Sequence, residues 1–233
     1  MDFTSVVIQI TSLLIAFSLH EAGHAYCANY LGDKTAKRLR RLTLNPIPHL
    51  DPFGSVILPL VLIASGSPFI FAAAKPVPVQ PGNFKRPITD FAIVALAGPI
   101  VNILLAILGA ALLGMGSFTG LAQAFLIQFV WINIVLALFN MIPIPPLDGS
   151  KVIAALMPRT MALRWLSLER YGFLLLGGLI LLSFILPVSL IALWVLTLAT
   201  GLIPILNSVS GLDFFTVLGL PTLEQPITAI TGS

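Results

Sequence analysis

The residues whose types and spacing could do chemistry begin at His20-Glu21-Ala22-Gly23-His24. On a helix, positions i and i+4 share a face, so both imidazoles can reach one ion. Neutral imidazole is a good zinc donor, and the glutamate beside the first histidine can hold and deprotonate a water that the ion activates. The plain alternative is a pair of histidines buried in a helix bundle. Three ionisable residues within five positions of an apolar segment are costly there, which favours a functional site.

Two neutral imidazoles leave a catalytic zinc short of a third protein ligand and of negative charge. Only nine acidic residues are available. Asp2, Asp213 and Glu224 lie near the ends, Asp33 and Asp90 flank apolar segments, and Glu169 sits among basic residues. Asp148 stands apart, inside Asn140-Met141-Ile142-Pro143-Ile144-Pro145-Pro146-Leu147-Asp148-Gly149. The three prolines forbid a regular helix there, and unwound backbone at membrane depth must line a polar site. An ordinary Pro-Asp-Gly turn at a membrane surface is the alternative, weakened because the histidine pair needs a partner.

The elements that must position these residues are membrane spans. Of 233 residues, 58% are apolar and 9% charged. So few charges cannot wet a soluble surface, and so apolar a chain is not disordered. A net charge of +3 gives no case for nucleic acid, the single cysteine excludes an intrachain disulfide, and three histidines are too few for an eight-histidine di-iron site. No cleavage site follows the first apolar run and no lipidation motif is visible, so that run is expected to be retained as a span.

A span needs ~20 apolar residues. Candidates are 3–30, 50–74 (broken by Ser65-Gly66-Ser67-Pro68), 91–113 and 121–142, with 171–206 split at Pro187. All twelve basic residues fall in three segments: Lys34 to Arg41, Lys75 to Arg86, and Lys151 to Arg170. The positive-inside rule places all three in the cytoplasm. One crossing by 50–74 would break that parity, so this stretch is expected to enter and leave on one side. The fold class is thus an all-α polytopic membrane protein. It has about five transmembrane helices plus a re-entrant or extended element between the first and second spans. Residues 1–160 form the catalytic core, 161–206 a C-terminal helix pair, and 207–233 a cytoplasmic or interfacial tail.

At these residues the chain resembles the site-2 protease family of intramembrane zinc metalloproteases, in its compact stand-alone prokaryotic form. His20–His24 matches that family's HExxH, and Asn140, Pro143, Asp148 and Gly149 match its second motif. Leu96-Ala97-Gly98-Pro99 with Asn102 is similar to a small-residue motif on an intervening helix. The resemblance runs from the first span to about residue 160. It implies zinc held by His20, His24 and Asp148, with Glu21 as general base and acid. It also implies hydrolysis of a peptide bond in or near a membrane-spanning segment of a membrane-protein substrate. Asn140 is carried over as a substrate-positioning or oxyanion-stabilising group. The site is expected to face the cytoplasm of a prokaryotic cell.

A metal-ion transporter using the same His and Asp ligands is the rival function. It needs two access routes and has no use for Glu21 as a base. Asn102 and His49 are further candidates for substrate positioning, His49 alternatively being part of an interfacial turn with Asp51. Gly98-Pro99 is expected to let the 91–113 helix pack tightly against the histidine helix. An extended edge near 69–79 is expected to pair with unwound substrate by strand addition.

Overall fold

The computed structural model describes residues 2–51, 54, 57, 75–186 and 189–220. Helix α1 (Phe3–Tyr30) carries the histidine motif. Asp2 starts it, accepting the Ser5 N–H at 3.3 Å, which satisfies one of the donors a helix leaves free at its start. A short α2 (Thr35–Arg38) follows. Helix α3 (Pro87–Gly114) opens with proline at its first position, and Asp90 reaches back to the Arg86 N–H at 2.9 Å. Both are helix-starting devices.

Helix α4 (Gly120–Asn140) returns antiparallel to α3 and ends where the proline segment begins. Met141 to Leu147 adopts no regular helix, as the prolines demand. Helix α5 (Asp148–Ala155) then starts at the acidic residue itself. Helices α6 (Arg159–Leu166), α7 (Gly172–Ile185) and α8 (Leu190–Ser210) follow, with a last turn α9 (Phe214–Val217). No described residue forms a strand.

Among the described residues, four helices are long and apolar enough to cross a bilayer: α1, α3, α4 and α8. A fifth candidate is a bent pair, 159–171 with 174–183, broken by 75°. The protein is therefore an all-α, multi-pass integral membrane protein. The expected re-entrant element at 50–74 lies outside the described residues, apart from positions 50, 51, 54 and 57. The expected edge at 69–79 is described only from Lys75.

The core sits among α3, α4 and α8, where Ala106, Ala110, Val130, Ile134, Ala199 and Ile203 are buried together. Small residues let these backbones approach closely, which drives helix association where lipid is as apolar as the side chains. Large apolar residues such as Leu104, Leu108, Leu121, Leu174 and Leu181 point outward, as a lipid-facing surface requires. Helix α1 packs on this unit through Ala16 against Ile132 and Leu136. The histidine helix is thereby fixed to α4, whose end leads into Asp148.

Candidate metal centre

His20 and His24 lie one turn apart on α1, with ring centroids 4.6 Å apart and ring planes at 88°. Both are buried, as is Asp148. The two Nε2 atoms are 3.0 Å apart. Asp148 Oδ2 lies 3.3 Å from His20 Nε2 and 3.2 Å from His24 Nε2. The outer nitrogens are engaged elsewhere. His24 Nδ1 donates to the Val94 carbonyl at 2.7 Å, and His20 Nδ1 meets Asn102 Oδ1 at 2.5 Å.

With both Nδ1 atoms turned outward, each Nε2 presents a lone pair toward the other and toward a carboxylate oxygen. With both rings neutral, three acceptors converge with no donor among them. Such a cluster is repulsive unless a proton or a metal ion joins it, and neutral imidazoles beside a carboxylate suit a metal ion. Tetrahedral zinc, about 2.0–2.1 Å from each ligand, sets ligand atoms about 3.3 Å apart. The observed separations of 3.0–3.3 Å fit that ion.

The other carboxylate oxygen is held apart. Lys151 Nζ lies 3.3 Å from Asp148 Oδ1 and donates to the Pro146 carbonyl at 3.1 Å. Asp148 thus turns one oxygen to the imidazoles and one to an ammonium. Glu21 also contributes a carboxylate oxygen to the group, within 4.8 Å of a ligand atom on each histidine. Its Oε2 accepts the Val77 N–H at 2.7 Å. Val77 lies between Pro76 and Pro78, which have no N–H to offer.

Two glycines allow the assembly. A Cβ on Gly98 would lie 2.5 Å from His24 Nε2 and 2.6 Å from His20 Nε2. Helix α3 therefore presents bare backbone to the imidazoles, as the tight packing expected of Gly98-Pro99 requires. A Cβ on Gly149 would collide with the Met141 carbonyl, so the loop bearing Asp148 folds onto the end of α4 only with glycine there.

The remaining candidates lie elsewhere. Asn140 ends α4, and its amide donates to its own helix at the Leu136 carbonyl, 2.9 Å away. Asn102 is buried against His20 itself. His49 is buried away from the cluster, with Nε2 donating to the Thr43 carbonyl at 3.0 Å and Nδ1 facing Arg41 at 3.5 Å. Asp51 accepts the Gly54 N–H at 2.7 Å, as the turn alternative requires. Sequence reasoning missed Lys151 and Asn133. Asn133 had a usable signal, being an amide inside an apolar span. The Val77 N–H and Val94 carbonyl are backbone groups and left none.

A helical membrane bundle that brings HExxH and a distant aspartate to one buried donor cluster has the form of a membrane-embedded metallopeptidase. Comparison with known proteins agrees. Residues 117–185 match the model of peptidase family M50. A relative from Bacillus subtilis (strain 168), "Putative zinc metalloprotease YwhC", is 40% identical over 195 residues, covering 79% of this chain and 83% of its own length. A relative of the same description from Mycolicibacterium smegmatis, Rip2, is 34% identical over 148 residues, covering 61% of this chain and 54% of its own. No solved structure matches the chain. The chain belongs to peptidase family M50 and is an enzyme, a zinc-dependent intramembrane protease.

Proposed function

We propose that His20, His24 and Asp148 hold the zinc, that Glu21 is the general base and acid, and that the substrate is a peptide bond within or near a transmembrane segment of a membrane protein. The observation that carries this assignment is the convergence of two imidazole Nε2 atoms and a carboxylate oxygen within 3.0–3.3 Å, with the outer nitrogen of each ring engaged elsewhere. Zinc bound there supplies Lewis acidity and brings the pKa of water down to about 7. Glu21 then takes the water proton and later passes it to the leaving amine. The Val77 N–H fixes one oxygen of that carboxylate, which leaves the other to face the water.

Asn140, at the end of α4 beside the ligand loop, serves to position substrate. Its amide is lent to Leu136 until substrate arrives. A substrate helix hides its carbonyls in backbone hydrogen bonds, so it must unwind locally before attack. The site opens toward the cytoplasm of a prokaryotic cell; the basic segments support the orientation, and the bacterial relatives support the cell type. Residues 1–160 carry the chemistry, and 161–206 brace it.

The test is reconstitution in liposomes with a model transmembrane substrate. Glu21→Gln should lower cleavage by at least roughly 10²-fold, the usual worth of a general base, while zinc content stays at the wild-type level. A chelator should abolish cleavage and added zinc restore it. Wild-type cleavage by Glu21→Gln would sink the assignment. A transporter with the same ligands would tolerate that change.

A further inference from the structure

Asn102 and Asn133 are both fully buried in the apolar interior, on different helices. An unpartnered amide there is costly, so each must find partners. The partners they find form a directed chain. Asn133 Nδ2 donates to the Phe129 carbonyl at 2.8 Å, one turn back on α4. A carbonyl can only accept, so the Asn133 nitrogen must face it and Oδ1 must face the other way. There Oδ1 accepts from Asn102 Nδ2 at 2.8 Å. The same Asn102 nitrogen donates to the Ala16 carbonyl on α1 at 3.3 Å. Two acceptors therefore fix the orientation of the Asn102 amide, and its Oδ1 must face His20 Nδ1.

An amide oxygen cannot donate. His20 Nδ1 must then carry a proton, and in the neutral ring Nε2 presents its lone pair to the ligand cluster. We infer that Asn133, acting through Asn102, is a positioning residue that locks His20 in its metal-binding tautomer. Neither asparagine touches the proposed ion. The polarity of the chain originates at an ordinary helix carbonyl and passes through two amides on α4 and α3 to a ring on α1. Packing alone would be served as well by an apolar pair. A polar pair aimed in one direction is what sets the ring proton. Partners of this kind beyond the ligands are worth roughly 10–100-fold in metal affinity. The inference rests on the metal assignment proposed above.

The experiment uses the full chain in nanodiscs, freed of metal by chelation and labelled with 15N-histidine. Imidazole 15N shifts report which nitrogen is protonated, and single His→Gln variants assign the three rings. His20 and His24 should carry the proton at Nδ1. His49, which donates from Nε2 to Thr43, should show the opposite tautomer and serves as an internal reference. In Asn133→Leu, the His20 signal should move toward the Nε2–H form and Co2+ affinity should fall by about 10–100-fold, with His24 unchanged. Asn133→Thr keeps a hydroxyl that can donate to Phe129 and accept from Asn102, and should recover part of the loss.

A wild-type His20 protonated at Nε2 would overturn the inference, and that measurement needs no variant to fold. So would an Asn133→Leu protein with wild-type tautomer and affinity within twofold. If His20→Gln itself bound Co2+ at wild-type affinity while wild-type His20 stayed protonated at Nδ1, the metal assignment would fall and the tautomer lock would stand.

Discussion

At the scale of single residues, the site depends as much on what Gly98 lacks as on what the proposed ligands supply. Its missing Cβ is the space in which His20 and His24 lie. Gly98→Ala should push both rings off their common point. Zinc stoichiometry by atomic emission should drop well below one, and cleavage should fail with it. Overpacking of this kind costs about 1–3 kcal/mol, so the bundle itself should survive. Gly177→Ala is the matched control, since a Cβ there meets nothing within 4 Å. Full zinc occupancy in Gly98→Ala would show that the rings have room to retreat. The proposed ligands could be picked out in the sequence because ionisable residues in an apolar chain are few and the two histidines stand one helical turn apart. Asn102 was legible as a candidate but not in its role, because its role depends on Asn133, 31 positions away and on another helix. Lys151 looked like one basic residue among twelve until its ammonium was seen against Asp148.

At the scale of elements, the segment 75–80 is what brings a backbone donor to Glu21, and it is tied down at both ends. The Lys75 N–H donates to the His49 carbonyl at 2.9 Å, and Arg41 donates to the Lys75 carbonyl at 2.7 Å. At the far end, the fully buried Asp33 accepts from the Gln80 N–H at 2.7 Å, the Asn83 amide at 2.7 Å and the Thr35 N–H at 3.0 Å. Burial alone would raise the Asp33 carboxyl, but the Gln80, Thr35 and Asn83 donors outweigh it and hold the group below its ordinary value. The sign follows from linkage. A carboxyl with a lowered folded pKa stabilises fully above its unfolded value, near 3.9, and loses that contribution as pH falls through the folded one. The anchor should therefore hold at neutral pH and fail only in strong acid. Asp33→Asn should cost about 1.5–3 kcal/mol at pH 7, the usual worth of hydrogen bonds to a charged group. It should also flatten the acid limb of thermal unfolding measured in detergent. Amide exchange at Gln80 and Val77 should quicken first. Unchanged exchange at Val77 would show that the segment is held without Asp33. The prolines at 76 and 78 foretold a non-helical segment, but not that the single N–H between them lands on Glu21. That contact is set by tertiary packing, which no local pattern records.

At the scale of the whole molecule, the division of charge seen in the sequence has a structural counterpart. The first two basic segments meet through Asp33, which follows α1 and binds Gln80 and Asn83 ahead of α3. The third joins them at Lys151, whose ammonium lies 5.6 Å over the Phe91 ring near the start of α3. All three therefore sit at one end of the bundle, beside the ligand cluster, while the turn between α3 and α4 lies at the other. The chain at His49 and at Lys75 is joined by a hydrogen bond, which sets the ends of the first and second basic segments side by side. The positive-inside rule expects both segments on one side of the membrane. The orientation then has a direct test in a Cys27→Ala background. Lys37→Cys, Gln80→Cys and Arg159→Cys all replace exposed side chains, as does Ser117→Cys at the opposite end. A membrane-impermeant maleimide should reach the first three only in inverted vesicles and Ser117→Cys only in intact cells. Labelling of Gln80→Cys and Ser117→Cys from the same side would break the topology. Labelling of all four from the reversed sides would keep the bundle but turn the active site outward. The substrates would then have to be cut from the external face, and the basic segments would be orienting the chain against the rule they otherwise follow.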